Sequence, residues 1–249
     1  MTSHLGDILK IDRTKFKYTV YYYPGSGGHI YGWLLALAHE PTLLKLALSC
    51  FPANLKDDPT TVRDSSGVAV SGWCKHENVQ NLNPYAKLIY LGVRTEKPHV
   101  TDTHGTIGSI DGIDTLNKLT KLSRKHTKNI FLTMDPLARM RACYEKGARP
   151  WRTYDNPTIK SVQEEIVVHS ICQEQVIKKN SYIDHFLDYK DLYTNEYVKK
   201  IENITEVILT DWAKESMDKL ISRYKEVTPS KLLKKLINEN KLSYRLPAA

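Results

Sequence analysis

Apolar and polar residues alternate along the chain in blocks that predict strands followed by helices. Residues 17–23 are rich in tyrosine and valine, which is typical of a buried strand, and the turn sequence PGSGG follows at 24–28. Residues 28–39 predict a helix that is apolar on nearly every side. Such a helix is expected to lie on a sheet and to be covered by other elements.

The same alternation continues downstream and predicts an α/β fold. Strands are predicted over 84–92, 98–105, 129–134 and 182–187, and helices over 112–123, 158–179 and most of 190–236. Residues 52–83, rich in Pro, Asp, Asn, Ser and Gly, are predicted to be a long loop of the kind that serves as a lid or binding segment. Strands that alternate with helices indicate a central parallel sheet flanked by helices.

Length and composition indicate one ordinary globular domain. The 249 residues favour a single domain over 1–249, with a core over 17–193 and a helical C-terminal part over 194–249. The hydrophobic fraction of 41% and the charged fraction of 26% exclude disordered and fibrous classes. No apolar run approaches the roughly 18 residues that cross a bilayer, and the first 20 residues lack the apolar core of a signal peptide. We therefore expect a cytoplasmic protein with no membrane partner.

The charge balance changes this picture only by favouring an anionic ligand. Lys and Arg outnumber Asp and Glu by 36 to 28, which gives a net charge of +8. No zinc-finger or RNP motif accompanies the charge, so nucleic acid is not an expected partner. The four cysteines lie far apart and lack metal-ligand spacing, so we expect neither a metal nor a disulfide framework. The composition makes no prediction about oligomeric state.

The glycine turn at 24–28 is the main candidate for chemistry. A tight turn between a strand and a helix directs backbone N–H groups and the positive end of the helix dipole at one point, where phosphate or sulfate binds. The turn is not a Walker A motif, because the lysine and the hydroxyl residue of GxxxxGK[ST] are both missing. Taken alone, it predicts either an anion site or a tight structural turn.

Three segments, taken in order, resemble the signatures of the sulfotransferase family. YPGSGGHIYGWLL resembles the family's 5′-phosphosulfate loop, and the matching residues are Pro24, Ser26 and Gly27. FLTMDPLARMRACY, residues 131–144, resembles the 3′-phosphate segment; it matches at Asp135, Pro136, Arg139 and Tyr144. FLDYKDLY, residues 186–193, resembles a strand-to-helix segment of the form xxYEDL; it matches at Tyr189, Asp191 and Leu192.

The resemblance implies a P-loop-like sulfotransferase fold with 3′-phosphoadenosine-5′-phosphosulfate as co-substrate and no metal. The residues implied to bind this donor are Gly25, Ser26, Gly27, Gly28 and His29 at its 5′ end, and Arg139 and Arg141 at its 3′-phosphate. PHVTDTHG, residues 98–105, resembles the K-T-H segment of the cytosolic branch, so His104 is the implied general base. His29 is the second implied catalytic residue, as the nearest substitute for the family's loop cation. The expected acceptor is a small molecule or a saccharide, and a peptide tyrosine is a further candidate.

Departures from the family pattern keep other functions open. Gly25, Met134 and Ala142 stand where the family has a basic loop residue, a strand-end arginine and a helix serine. These changes allow a catalytically altered nucleotide- or anion-binding relative, or a P-loop kinase-like phosphotransferase. A third alternative is a non-catalytic module that binds an anionic glycan or nucleic acid through its basic surface.

Overall fold

Seven stretches of the chain are described by a computed structural model: residues 13–23, 26–50, 62–63, 69–71, 83–90, 112–136 and 159–225. The strands are β1 (Tyr18–Tyr22), β2 (Val62–Arg63), β3 (Ala69–Ser71), β4 (Ala86–Tyr90), β5 (Lys128–Thr133) and β6 (His185–Asp188). The α-helices are α1 (Gly28–His39), α2 (Leu44–Ser49), α3 (Gly112–Ser123), α4 (Ile159–Lys179), α5 (Glu196–Thr205) and α6 (Asp211–Lys225). Short 3-10 turns cover Arg13–Lys15, Pro41–Leu43 and Tyr189–Tyr193.

Four of these strands form a parallel sheet in the order β4-β1-β5-β6, which confirms the predicted α/β architecture. Val20 in the middle of β1 pairs with Leu88 of β4 on one side and with Ile130 of β5 on the other. The next strand of this sheet along the chain, β4, lies on one side of β1, and the strand after it, β5, lies on the other side. The carboxyl end of β1 is therefore a topological switch point, where ligands bind in open α/β sheets.

Helices cover both faces of the sheet because the β1 side chains alternate between two apolar clusters. Val20 and Tyr22 belong to a large core that also includes residues of α1, α2, α5 and α6. Tyr21 and Tyr23 point the other way, into a smaller core formed with α3, α4 and Phe131. All four of these side chains, from β1 and the residue after it, are buried, as the pattern predicted.

Most of the predicted elements that fall within the described residues are confirmed. Helix α3 spans 112–123 as predicted, and the predicted bounds of α1, α4 and β4 agree with the structure to within two residues. The sequence also predicts a helix that begins at Asp135 and Pro136. Its residues beyond 136, the predicted strand over 98–105 and the predicted helical residues beyond 225 lie outside the described residues.

The prediction of a loop over 52–83 was wrong in part. β2 and β3 lie within this range and pair as an antiparallel hairpin, with Val62 opposite Ser71 and Arg63 opposite Ala69. Strands of two and three residues are too short to show the apolar and polar alternation by which strands are recognised.

The described helices include none that is both long enough and apolar enough to cross a membrane.

Candidate anion-binding site

The glycine turn leads from β1 to α1 at the carboxyl edge of the sheet. The Ser26 N–H and hydroxyl both donate to the carbonyl oxygen of Tyr23, at 3.0 and 2.6 Å. Gly27 adopts a left-handed conformation with φ 81°, and its carbonyl accepts the Tyr31 N–H at 3.0 Å as the first bond of the helix. Ser26 is fully buried. Its hydroxyl proton is therefore used to hold the turn.

Close packing requires glycine at two positions of this turn. A Cβ atom on Gly28 would lie 2.2 Å from Cγ of Tyr22, which is far inside van der Waals contact. A Cβ on Gly27 would lie 3.2 Å from both Ile30 Cγ2 and Tyr189 Cδ2, and its positive φ would strain any other residue. The main chain therefore packs directly on the ring of Tyr22 and beside that of Tyr189.

Helix α1 begins without a side-chain cap, because its N-cap residue is Gly27. The first-turn amides of a helix point out along its axis, together with the positive end of the helix dipole. In α1 these amides belong to residues 28–30. They lie at the carboxyl end of the central strand, where the topology predicts a ligand, so the turn and the start of the helix are the candidate site for an anion.

His29 projects from the first turn of α1 and contacts the end of β1. Its Nε2 lies 3.1 Å from the Tyr22 hydroxyl, within hydrogen-bonding distance, and the two rings meet edge to face with centroids 5.6 Å apart. The side chain is half-buried. The imidazole predicted to replace the family's loop cation is thus attached to the strand that carries the turn.

The end of β5 is the start of the segment that resembles the family's 3′-phosphate segment. Met134 is 1% exposed and packs in the large core, and its N–H donates to Oε1 of Gln173 on α4 at 2.9 Å. Asp135 is exposed, and Pro136 is buried. Residues 133–136 contain no cation, so positive charge for a second phosphate would have to come from residues beyond this strand end.

The segment that follows β6 contacts the glycine turn. Tyr189 is 162 positions after Gly27, yet its ring borders the site where a Gly27 side chain would begin. The Tyr31 hydroxyl of α1 donates to the Asp188 carbonyl at 2.8 Å. The first and third of the family-like segments therefore pack against each other.

A buried histidine that the sequence reasoning did not select lies close to this edge. His169 of α4 is fully buried, and its ring meets Tyr23 edge to face with centroids 4.4 Å apart. Cys172 and Val176, also buried, follow it at helical spacing. Val167, two positions before His169, is 38% exposed and lies on the other face of the helix. A helical repeat drawn through His169, Cys172 and Val176 would have placed His169 on the buried face.

The predicted site residues fall into two groups. The structure brings Ser26, Gly27, Gly28 and His29 together at the carboxyl end of β1. The others, namely Gly25, His104, Arg139 and Arg141, lie outside the described residues.

Neither metal ligands nor sequence relatives assign a function to the described residues. Within the part of the chain that the structure describes, no group of three or more His, Cys, Asp or Glu side chains could hold a metal ion. A scan against models of known protein families finds no match, and a search of curated proteins finds no significant relative.

Proposed function

We propose that the protein is a sulfotransferase. It would move a sulfuryl group from 3′-phosphoadenosine-5′-phosphosulfate to a hydroxyl or amine of a small-molecule or saccharide acceptor. One observation carries the proposal: the family-like segments around Gly27, Met134 and Tyr189 are far apart in sequence but lie at one edge of the sheet. In a parallel sheet this is the edge at which ligands bind.

The described residues fit the 5′ end of this donor. Helix α1 starts at a glycine N-cap with no side-chain cap, so an anion would not have to displace a capping side chain from its first-turn amides. The bound donor supplies an activated sulfuryl group on its 5′-phosphate. The α1 amides hold that end of the donor and, with the helix dipole, stabilise charge on the leaving phosphate.

The residues proposed to bind the 3′-phosphate end of the donor and to act on the acceptor lie outside the described residues. Since Met134 is buried in the core, the 3′-phosphate depends on Arg139 and Arg141. His104 accepts the proton of the acceptor hydroxyl, as a histidine that titrates near neutral pH can. His29 faces the leaving phosphate in place of the missing loop cation. The rest of the catalysis consists of positioning the donor and acceptor and stabilising charge on the leaving phosphate, as in phosphoryl transfer.

Thermal shift with three ligands tests the proposal. We expect 3′-phosphoadenosine 5′-phosphate, the donor product, to raise the melting temperature. At a hundredfold excess over Kd the stabilisation is about 2.7 kcal/mol, which for a chain of this size amounts to roughly 5–10 °C. ATP and heparin are the matched comparisons, at the same concentration of anionic groups and the same ionic strength.

The kinase-like and polymer-binding alternatives predict different patterns of shifts, whereas a catalytically altered relative that still binds the donor is separated from the sulfotransferase only by an assay of transfer. A shift with ATP alone supports the kinase-like phosphotransferase. A shift with heparin alone, abolished by salt, supports a module that binds anionic polymers. The absence of any shift with the donor product at saturating concentration would reject the sulfotransferase.

A further inference from the structure

Asp191, in the 3-10 turn after β6, is a buried carboxylate with two close donors. Its Oδ2 atom accepts a hydrogen bond from Nζ of Lys200 on α5 at 2.7 Å and from the Asp188 N–H at 2.9 Å. The Asp191 side chain is 4% exposed, whereas that of Lys200 is 38% exposed. One oxygen thus joins the end of β6 to helix α5.

This carboxylate determines the shape of the turn that carries Tyr189. The Asp188 and Asp191 side chains form a reciprocal capping box over residues 188–191. Tyr189 lies within that box, and its ring borders the Gly27 main chain. A displacement of Asp191 would therefore move the ring that packs against the anion-binding turn.

An ion pair whose carboxylate is buried contributes little net stability, because the cost of removing that carboxylate from water offsets much of its attraction to the cation. Such pairs are better suited to fixing one geometry among several. Here the geometry that is fixed is the approach of Tyr189 to Gly27, the residue in the left-handed conformation that aims the α1 amides.

We propose that Asp191 and Lys200 are positioning residues for the anion-binding turn. They act through Tyr189 and do not touch the ligand. This inference rests on the proposed function, because it assumes that the turn binds the phosphosulfate end of the donor. It assigns to helix α5, in the C-terminal helical part, a role in donor affinity.

The test compares two neighbouring lysines on α5. Lys200→Met removes the cation that pairs with the buried Asp191 carboxylate, whereas Lys199→Met removes the same charge from an exposed contact of 3.9 Å with Glu196. Binding of 3′-phosphoadenosine 5′-phosphate is measured by calorimetry well below each melting temperature. We expect Lys200→Met to weaken the affinity about tenfold, since small misplacements of positioned groups cost up to about a hundredfold. Lys199→Met should bind like the wild type.

Two more variants separate positioning from folding. Lys200→Arg keeps the cation and should restore affinity to within about twofold, because guanidinium also pairs with carboxylate. Asp191→Asn/Lys200→Met leaves no buried charge, so it should fold even where Lys200→Met does not, and it should still bind about tenfold more weakly.

The outcomes distinguish this inference from the proposed function. If folded Lys200→Met and the double variant bind like the wild type, the positioning role is wrong and the sulfotransferase proposal is unaffected. Parallel titrations with inorganic pyrophosphate cover the other case. A wild type that binds pyrophosphate but not the donor product would reject the sulfotransferase alone, and the pyrophosphate affinities of the variants would then decide the positioning role. A wild type that binds neither overturns both.

Discussion

The Tyr22 hydroxyl lies 3.1 Å from Nε2 of His29, and this contact joins the end of β1 to the first turn of α1. The Tyr22 ring also lies where a side chain on Gly28 would begin. One tyrosine therefore supports both the main chain of the turn and the histidine beside it. Each role can be tested by a separate substitution.

Tyr22→Phe should reduce donor-product affinity about three- to tenfold, because the ring is kept while the contact with His29 is lost, and a hydrogen bond contributes about 0.5–1.5 kcal/mol. The measurement is calorimetric titration with 3′-phosphoadenosine 5′-phosphate. Tyr21→Phe is the matched control, since its hydroxyl is buried on the opposite face of β1 and donates to Ser123 Oγ at 3.0 Å. Equal affinity of the two variants would contradict a role for His29 in binding.

Gly28→Ala should destabilise the protein by about 1–3 kcal/mol, the usual cost of inserting a methyl group into a packed site. The new methyl group would lie 2.2 Å from the Tyr22 ring, so either the ring or the turn must move. Donor-product affinity should fall as well. Gly32→Ala is the control, because its nearest neighbour is a terminal methyl group of Leu88 at 2.8 Å, farther away than the Tyr22 ring is from a Cβ on Gly28.

Denaturant unfolding gives the stabilities of the two glycine variants, and the ligand titration gives their affinities. For Gly32→Ala we expect a smaller loss of stability, partly offset by a helix-propensity gain of up to about 1 kcal/mol, and unchanged affinity. A Gly28→Ala protein with wild-type stability and affinity would show that the turn tolerates a side chain.

His39, at the C-terminal end of α1, predicts how the stability of the protein depends on pH. His39 Nε2 lies 2.7 Å from the Tyr18 hydroxyl, and its ring stacks on Tyr85 with centroids 4.9 Å apart. Burial lowers the pKa of His39, and the charges of Lys17 and Lys128 lower it further. Burial also raises the pKa of Tyr18 to about 12, so its phenol keeps its proton throughout the neutral range.

The sign follows from proton linkage. Below the ordinary histidine pKa of about 6.5, the unfolded chain binds a proton at His39 that the folded chain resists. Stability is therefore fully present above about pH 6.5 and falls as the pH drops through the lowered pKa. Burial also lowers the pKa of His185, with a further effect from Lys128, so this residue acts in the same direction.

Melting temperatures recorded at pH 7.5, 6.5 and 5.5 check this prediction. We expect a steady decrease toward the lowest pH, a smaller decrease in His39→Gln, and the smallest in His39→Gln/His185→Gln. Glu206, whose pKa is lowered chiefly by its hydrogen bond to Lys128, affects stability only at more acidic pH and does not interfere. A wild-type melting temperature that rises toward pH 5.5 would contradict the assignment.

His104→Ala should reduce sulfuryl transfer by about 10²–10⁴-fold, the usual contribution of a general base. Donor-product affinity should remain within about twofold of the wild type, because binding relies on the turn and not on the base. Transfer of labelled sulfate to an acceptor found by screening measures the rate. Near-normal turnover in this variant would remove His104 from the mechanism.

The elements predicted correctly from the sequence are those whose apolar residues recur at a regular spacing. Helix α3 was placed correctly because Leu116 and Leu119 repeat at helical spacing and both are buried. β1 and α1 were recognisable because nearly every side chain in them is apolar. The hairpin of β2 and β3 was missed because its strands are too short to carry a pattern.

The arrangement of side chains in the candidate site could not be predicted, because it depends on contacts between residues that are far apart in the sequence or belong to different elements. The glycines predicted a tight turn that could bind an anion, but glycine is required at position 28 because of the Tyr22 ring, a contact that no spacing rule predicts. The Asp191 and Lys200 pair joins residues of two different elements. From the sequence alone, Asp191 and Lys200 could equally be two separate solvated side chains. Only the burial of Asp191 shows that they form a specific pair.

Strand β1 and helix α1 are fastened together at both ends by a tyrosine and a histidine: Tyr22 with His29, and Tyr18 with His39. The two histidines are ten positions apart, about 15 Å along the helix axis. Such a double attachment prevents the helix from sliding or tilting on the strand. The entropy of aligning the amides is therefore lost during folding, so an anion that bound at the turn would meet a rigid receptor.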